Sequence, residues 1–382
     1  MNLEIFGEKG KKVIVYGLKV TGVSASYVFS NLGIPVMYYC DNLEKERDQE
    51  EAVKKYDNVN NLADINDVDW KDVSFLLKSP GISLDKSLIV AAKEHGIPVY
   101  SDIEVAYQIF GGDKIIAITG SNGKTTTVSL VAHLLKEAGM KVVAVGNIGN
   151  PVLTEMYDHR DDQDYYYVLE CSSFQLASVE KFKPHIAAIL NITEDHMEWH
   201  GTMEDYTRCK LAIAKNQDYN DAVFIYAKSN ALKQAENQGR FKAKINEIDS
   251  KNNELSLFLN DSNNWKLLGK HNIVNALFGY EICKSIGVDK GTLEKGLKSF
   301  RAIEHRMEFI RDFNGVSYVN DSKATNVDAA VVALSSLNQP IWLLAGGYDK
   351  HADYSDLYPA FSKNGKMMIL YGLTKNDIAK GA

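Results

Sequence analysis

The most informative run in this 382-residue sequence is Ile115–Thr119, followed by Gly120-Ser121-Asn122-Gly123-Lys124-Thr125 and then Thr126. Glycines at 120 and 123 permit tight turns in which successive backbone N–H groups face one point, and a phosphate satisfies such groups together. A helix expected over Thr126–Ala138 adds the positive end of its dipole. Lys124 is long enough to reach β- and γ-phosphates, and the Thr125 hydroxyl is a hard oxygen of the kind Mg²⁺ takes. Ile118 stands where the strict nucleoside-triphosphate loop has its first glycine. The competing reading is a plain strand–turn–helix with a chance Gly-Lys-Thr; the strand before and the helix after favour the phosphate site.

A second glycine turn lies nearer the start. Gly17 and Gly22 follow the strand pattern Val13–Tyr16, and Asp41 ends the next one. This resembles half a dinucleotide fold, but Lys19 occupies the central position where glycine would let a pyrophosphate approach. Nicotinamide binding is therefore disfavoured, and a nucleotide diphosphate at the same turn fits better. Ser79-Pro80-Gly81, after Phe75–Lys78, offers a further loop beside it. Purely structural turns are the alternative at both places.

The elements that must position these loops are short apolar strands alternating with helices, the pattern of a parallel α/β sheet. Strands are expected at Val13–Tyr16, Val36–Cys40, Phe75–Lys78, Lys114–Thr119, Val142–Val145, Tyr166–Glu170, Ile186–Ile192 and Val223–Ile225, with three further parallel strands at Val316–Asn320, Ile341–Ala345 and Met367–Tyr371. The polar tract Asn216–Asn264 reads as a small antiparallel extension containing a weak strand at Glu254–Leu259. Boundaries are expected near Gly111-Gly112, after a helix at Ile103–Phe110, and near Ser299–Arg301, after a helix at Thr292–Leu297.

Apolar residues make up 45% and charged residues 24%, ordinary for a globular protein, and the length calls for two or three domains. A formal charge of −7 without a basic run argues against nucleic acid as a partner. Cys40, Cys171, Cys209 and Cys283 show neither metal-ligand nor disulfide spacing. The charged start MNLEIFGEKGKK is unlike a secretory signal, and no apolar run approaches the ~20 residues that cross a bilayer. The expectation is a cytoplasmic protein without a membrane partner.

Other stretches then take on meaning in order: LECSSFQL (169–176), NITEDHMEWHG (191–201), HNIVNA (271–276), EHRMEF (304–309), NDSKATN (320–326) and AGGYDK (345–350). With GSNGKTTT they resemble the Mur ligase family over essentially the whole chain. The resemblance implies three domains: 1–111 for a UDP-linked substrate, 112–299 for ATP, and a Rossmann-like 300–382 for an amino acid. It implies an ATP-dependent amide ligase acting through an acyl phosphate. The SSFQL, SKATN and GGYDK forms resemble most the members that add D-glutamate to UDP-N-acetylmuramoyl-L-alanine in peptidoglycan synthesis. A monomer is expected.

The same resemblance assigns residues. Gly120, Ser121, Asn122, Gly123, Lys124, Thr125 and Thr126 would hold the ATP phosphates, with Asn275, Arg306 and Asp321 around the rest of the nucleotide. Thr125, Glu170, His196 and Lys210 would surround two Mg²⁺ ions, Lys210 as a carbamate formed with carbon dioxide, in preference to the nearby Lys215. Thr21, Asp41, Ser79 and Asn147 would contact the UDP-linked substrate, and Lys323, Thr325 and Lys350 the reacting carbonyl and the amino acid. The competing readings are structural: a solvated strand-end carboxylate for Glu170, a satisfied structural histidine for His196, a solvated helix lysine for Lys210, and surface salt-bridge roles for the residues of the third region.

In the family the third domain runs past the strand matching Met367–Tyr371 to a serine-containing loop, whereas this sequence ends at Ala382 after a helix start at Thr374–Lys380, so that domain is expected to be incomplete. A sibling ligase for another amino acid, a folate polyglutamate ligase, a phosphate-loop ATPase without an acceptor and a nicotinamide dehydrogenase are the alternatives. The N-terminal α/β unit counts against the folate enzyme, and SKATN and GGYDK have no place in a bare ATPase.

Overall fold

A computed structural model of the chain describes residues 1–147, 149–249, 254–261, 265, 267, 270–301, 305–348 and 352–381. The chain forms two compact units, Met1–Ile248 and Asp249–Ala382.

The first unit holds two parallel sheets. One contains β1 (Lys12–Tyr16), β2 (Val36–Tyr39), β3 (Val59–Asn61), β4 (Val73–Lys78) and β5 (Val99–Tyr100), in the order β3-β2-β1-β4-β5. The other contains β6 (Ile115–Thr119), β7 (Val142–Gly146), β8 (Tyr166–Glu170), β9 (Ile186–Ile189), β10 (Ala222–Tyr226) and β11 (Lys244–Ile248), in the order β11-β10-β9-β6-β8-β7. Strands such as Val13–Tyr16 and Ile115–Ile118 are buried on both faces, which is why they read as unbroken apolar runs rather than alternating ones. In each sheet the strand order reverses beside the first strand, β1 or β6. Such a reversal opens a crevice at the carboxyl ends of the strands, where ligands of these folds bind. Both glycine turns lie there.

Asp102–Phe110 is a helix that ties the two sheets together. The buried Glu104 carboxylate accepts the backbone N–H groups of Glu180, Lys181 and Phe182 at 2.8–2.9 Å. Asp102 accepts Gln175 Nε2 at 2.9 Å, and Ser101 N–H donates to the Ser178 carbonyl.

The second unit contains helices Lys270–Ser285 and Lys290–Ser299, the pair β12 (Glu308–Phe313) and β13 (Val316–Asn320), helix Val327–Ser336, and β14 (Ile341–Gly347) parallel to β15 (Gly365–Gly372). Leu334, Ile341, Leu357, Ala360 and Phe361 form a core there.

Three expectations are corrected. Val316–Asn320 is not a parallel strand but the second arm of an antiparallel hairpin with β12, because Asn314 (φ 50°) and Gly315 (φ 76°) make the left-handed two-residue turn that such hairpins prefer. Glu254–Leu259 belongs to a helix, Glu254–Asn260, whose buried Leu255 and Leu259 stand four apart on one face. The extension within Asn216–Asn264 is parallel, since β11 joins β10 after a helical crossover at Asn230–Asn237.

Candidate functional site

The buried strand β6 delivers Gly120 to the crevice, and Gly123 (φ 86°) caps the helix Lys124–Glu137 in a left-handed conformation that a side chain would strain. The loop is held from the side by the segment after β9. Asn191 accepts Asn122 N–H and donates to the Asn122 carbonyl, at 2.8 and 2.9 Å. Ser121 Oγ donates to the Thr193 carbonyl at 2.7 Å and lies 2.9 Å from the Tyr206 hydroxyl. Lys124 Nζ folds back on the carbonyls of Gly120 and Ser121, both at 2.8 Å. Thr125 lies in the first turn of the helix and Thr126 is buried.

Glu170 ends β8, next to Ile118 on one side and Gly146 on the other. It is buried; Oε1 accepts Asn147 Nδ2 at 3.1 Å, and Oε2 has no hydrogen-bond partner among the described residues. A buried carboxylate oxygen left without a donor costs about 1–3 kcal/mol. It is also the hard ligand that Mg²⁺ takes, so the donor set fits the expected ion.

His196 sits at φ 60°, ψ 34°, at the start of the short helix Met197–His200. Its ring is 4.8 Å from Phe174, with Asp195 and Glu198 carboxylates each 3.5 Å from one ring nitrogen. A left-handed residue other than glycine costs roughly 1–2 kcal/mol, and here it accompanies a ring set against Phe174.

Lys210, on helix Met203–Leu211, is fully buried, and its Nζ donates to the Gly120 carbonyl at 2.8 Å. Burial pushes its pKa well below the ordinary lysine value, and the Lys124 ammonium pushes the same way. Lys215 instead donates to the Val179 carbonyl at 2.5 Å and faces a different loop.

At the first sheet, Ser79 N–H donates to the Tyr16 carbonyl and Ser79 Oγ to that of Gly17, so the two turns lie together. Asp41 accepts Tyr16 Oη at 2.5 Å and Lys86 Nζ at 2.7 Å. Partial burial raises its pKa, but Lys86 and Tyr16 together hold it below the ordinary value. Thr21 lies in helix Val20–Asn31, half-buried.

In the second unit, Asp321 accepts Met307 N–H at 3.0 Å; burial raises its pKa, opposed by that donor and by Arg306. Arg306 also lowers the His271 pKa, after burial itself, so its charge reaches both residues. Asn275 is buried and donates to Asn272 Oδ1. Lys323 and Thr325 are exposed, and Lys350 lies outside the described residues. Sequence reasoning missed Asn191, Tyr206, Ser173 and His200, which hold the phosphate loop and its neighbours; Asn191 and His200 stood inside the quoted NITEDHMEWHG without a role.

Among the described residues no helix is long and apolar enough to cross a membrane, and none of the four cysteines is in a disulfide. Residues 118–283 match the Mur ligase middle domain, and residues 305–382 the Mur ligase, glutamate ligase domain. The chain is 36% identical to the UDP-N-acetylmuramoylalanine–D-glutamate ligase of Caldicellulosiruptor bescii, over 97% of this chain and 84% of that protein. It is 34% identical to the enzyme of that name from Alkaliphilus metalliredigens, over 98% and 86%. Among solved structures, the UDP-N-acetylmuramate–alanine ligase of Thermotoga maritima shares the fold (TM-score 0.58, 16% identity, 97% of this chain and 87% of that one). The chain belongs to the Mur ligase family.

Proposed function

We propose that the protein uses ATP to join D-glutamate to UDP-N-acetylmuramoyl-L-alanine, a step of peptidoglycan synthesis. The observation that carries this reading is the convergence of Lys124 and Lys210 on the Gly120 carbonyl. The unpartnered Glu170 oxygen, at the end of the strand paired with β6, supports it. A carboxylate resists attack by an amine until one oxygen becomes a good leaving group. Lys124 and the loop amides are suited to align the γ-phosphate with that carboxylate, whose attack would release ADP and leave an acyl phosphate; the amine would then attack the activated carbonyl and expel phosphate. Mg²⁺ would neutralise phosphate charge, held by Thr125, Glu170 and His196. Lys210, whose ammonium burial makes easier to deprotonate, would as the free amine add carbon dioxide and release a proton to give a carbamate, an oxygen ligand for a second ion.

Thr21, Asp41, Ser79 and Asn147 are assigned to the UDP-linked substrate, Asn275, Arg306 and Asp321 to ATP, and Lys323, Thr325 and Lys350 to the reacting carbonyl and D-glutamate. The corresponding regions are 1–111, 112–299 and 300–382, in a monomer of the cytoplasm. The test is phosphate release from ATP with UDP-N-acetylmuramoylalanine, with and without D-glutamate or another amino acid. Release that ignores D-glutamate, or prefers another amino acid, overturns the reading.

A further inference from the structure

His200 is buried four residues after His196, and none of the chemistry above uses it. Its side chain is 0% exposed, yet both ring nitrogens are engaged. Nδ1 lies 3.1 Å from Asp205 Oδ2, and Nε2 lies 2.9 Å from Ser173 Oγ. A carboxylate only accepts, so Nδ1 carries the hydrogen, and Nε2 is left to accept the Ser173 hydroxyl. Asp205 is fixed in turn: Arg208 donates to its other oxygen from Nε and a terminal nitrogen, and Thr202 Oγ accepts its backbone N–H. The imidazole also stacks parallel to Phe174 at 5.8 Å and meets Tyr206 edge-on at 5.1 Å.

These contacts join three elements. Ser173 and Phe174 follow closely after Glu170; Asp205, Tyr206 and Lys210 share the helix Met203–Leu211. That helix touches the phosphate loop at two points, Tyr206 to Ser121 and Lys210 to Gly120. The position of the Lys210 amine therefore depends on how the helix is seated, and His200 is the buried polar link between the helix and the segment after β8. Asp205, Cys209 and His200 also lie close enough to be considered a metal cradle. The arginine on Asp205, the hydrogen on Nδ1, and a Cys209 thiol pushed by burial up to about 11 make this a hydrogen-bonded trio instead.

We propose that His200, as the Nδ1–H tautomer bridging Asp205 and Ser173, is a positioning residue that seats the helix Met203–Leu211, and with it Lys210, against the phosphate loop. The proposal rests on the ligase reading for its effect on turnover, but not for its structural content.

The test uses the full chain with His200→Phe, which keeps an aromatic ring, His200→Asn, which retains a donor toward Asp205, and Ser173→Ala. Amide hydrogen exchange is followed without substrates, and kcat and KM are measured per mole of folded protein. Expected are faster exchange over 203–211 and 120–125 in His200→Phe, kcat lower by about tenfold or more with little change in KM for the UDP-linked substrate, and partial recovery in His200→Asn. Ser173→Ala combined with His200→Phe is expected to be no worse than His200→Phe alone, since both break one bridge. A lower melting temperature with unchanged kcat and unchanged local exchange, or strictly additive effects of the two substitutions, overturns the proposal. If the ligase reading is wrong, the wild type turns nothing over while the exchange contrast remains, so the two failures are distinct.

Discussion

Lys124 and Lys210 share one acceptor, each placing Nζ 2.8 Å from the Gly120 carbonyl oxygen. Two ammonium groups at one carbonyl repel, and the fully buried Lys210 is the one whose pKa is pushed down, by desolvation first and Lys124 second. A bound triphosphate would draw Lys124 away from the loop carbonyls and leave Gly120 to Lys210.

Lys124→Ala is accordingly expected to abolish ATP-dependent phosphate release while leaving the melting temperature close to that of the wild type. Near wild-type release would remove the ATP assignment.

Lys210→Ala is expected to lose most activity and to regain part of it with added acetate, which supplies the missing oxygens. Full activity without any additive refutes the role of Lys210. Lys210→Met carries a separate stability signature. An amine whose folded pKa is depressed takes up a proton more readily when unfolded, so wild-type stability rises with pH from the folded value toward ~10.4. The methionine variant is thus expected to melt higher near pH 7, with its advantage shrinking as the pH approaches that value. An advantage that does not vary with pH would show that Lys210 is charged in the folded protein.

Glu170→Gln tests the metal through binding rather than turnover. The orphaned Oε2 is a cost to the metal-free protein, so neutralising it is expected to leave the melting temperature in a chelator unchanged or higher. The rise in melting temperature that Mg²⁺ with ATP gives the wild type is expected to shrink. An undiminished rise would place the ion elsewhere.

The UDP-linked substrate is expected to bind the chain directly in a calorimetric titration, independently of amino-acid transfer. Asp41→Ala, which frees Tyr16 and Lys86, is expected to weaken that binding by about tenfold, the equivalent of ~1.4 kcal/mol. Unaltered affinity would take Asp41 out of the substrate site.

Much of this was legible in the sequence, for identifiable reasons. Strands buried on both faces must be continuously apolar, so β1, β6 and β8 stood out; the phosphate loop announced itself because only glycine turns comfortably at positions such as 123. The hairpin turn Asn314-Gly315 was also written plainly and was passed over in favour of a parallel strand. Other features had no local signature. Ser173 and His200 are 27 residues apart, and nothing near either one says that the packing of the segments after β8 and β9 will bring a hydroxyl onto an imidazole. The edge strand β11 was hidden for the opposite reason, since an edge position tolerates the polar run Lys244–Ile248.

Glu104 has a bearing on inheritance and engineering. Its carboxylate serves three consecutive amides of a loop that belongs to the other sheet. A chimera spliced at 111/112 from two relatives would therefore bring together a helix and a 180–182 loop with no shared history, and a mismatch would strand a desolvated charge opposite three orphaned donors. Grafts that carry the helix and the loop from one parent avoid this. The Asp102–Phe110 helix lies on the amino-terminal side of that junction by chain order, but its acceptor belongs with the second sheet by fit.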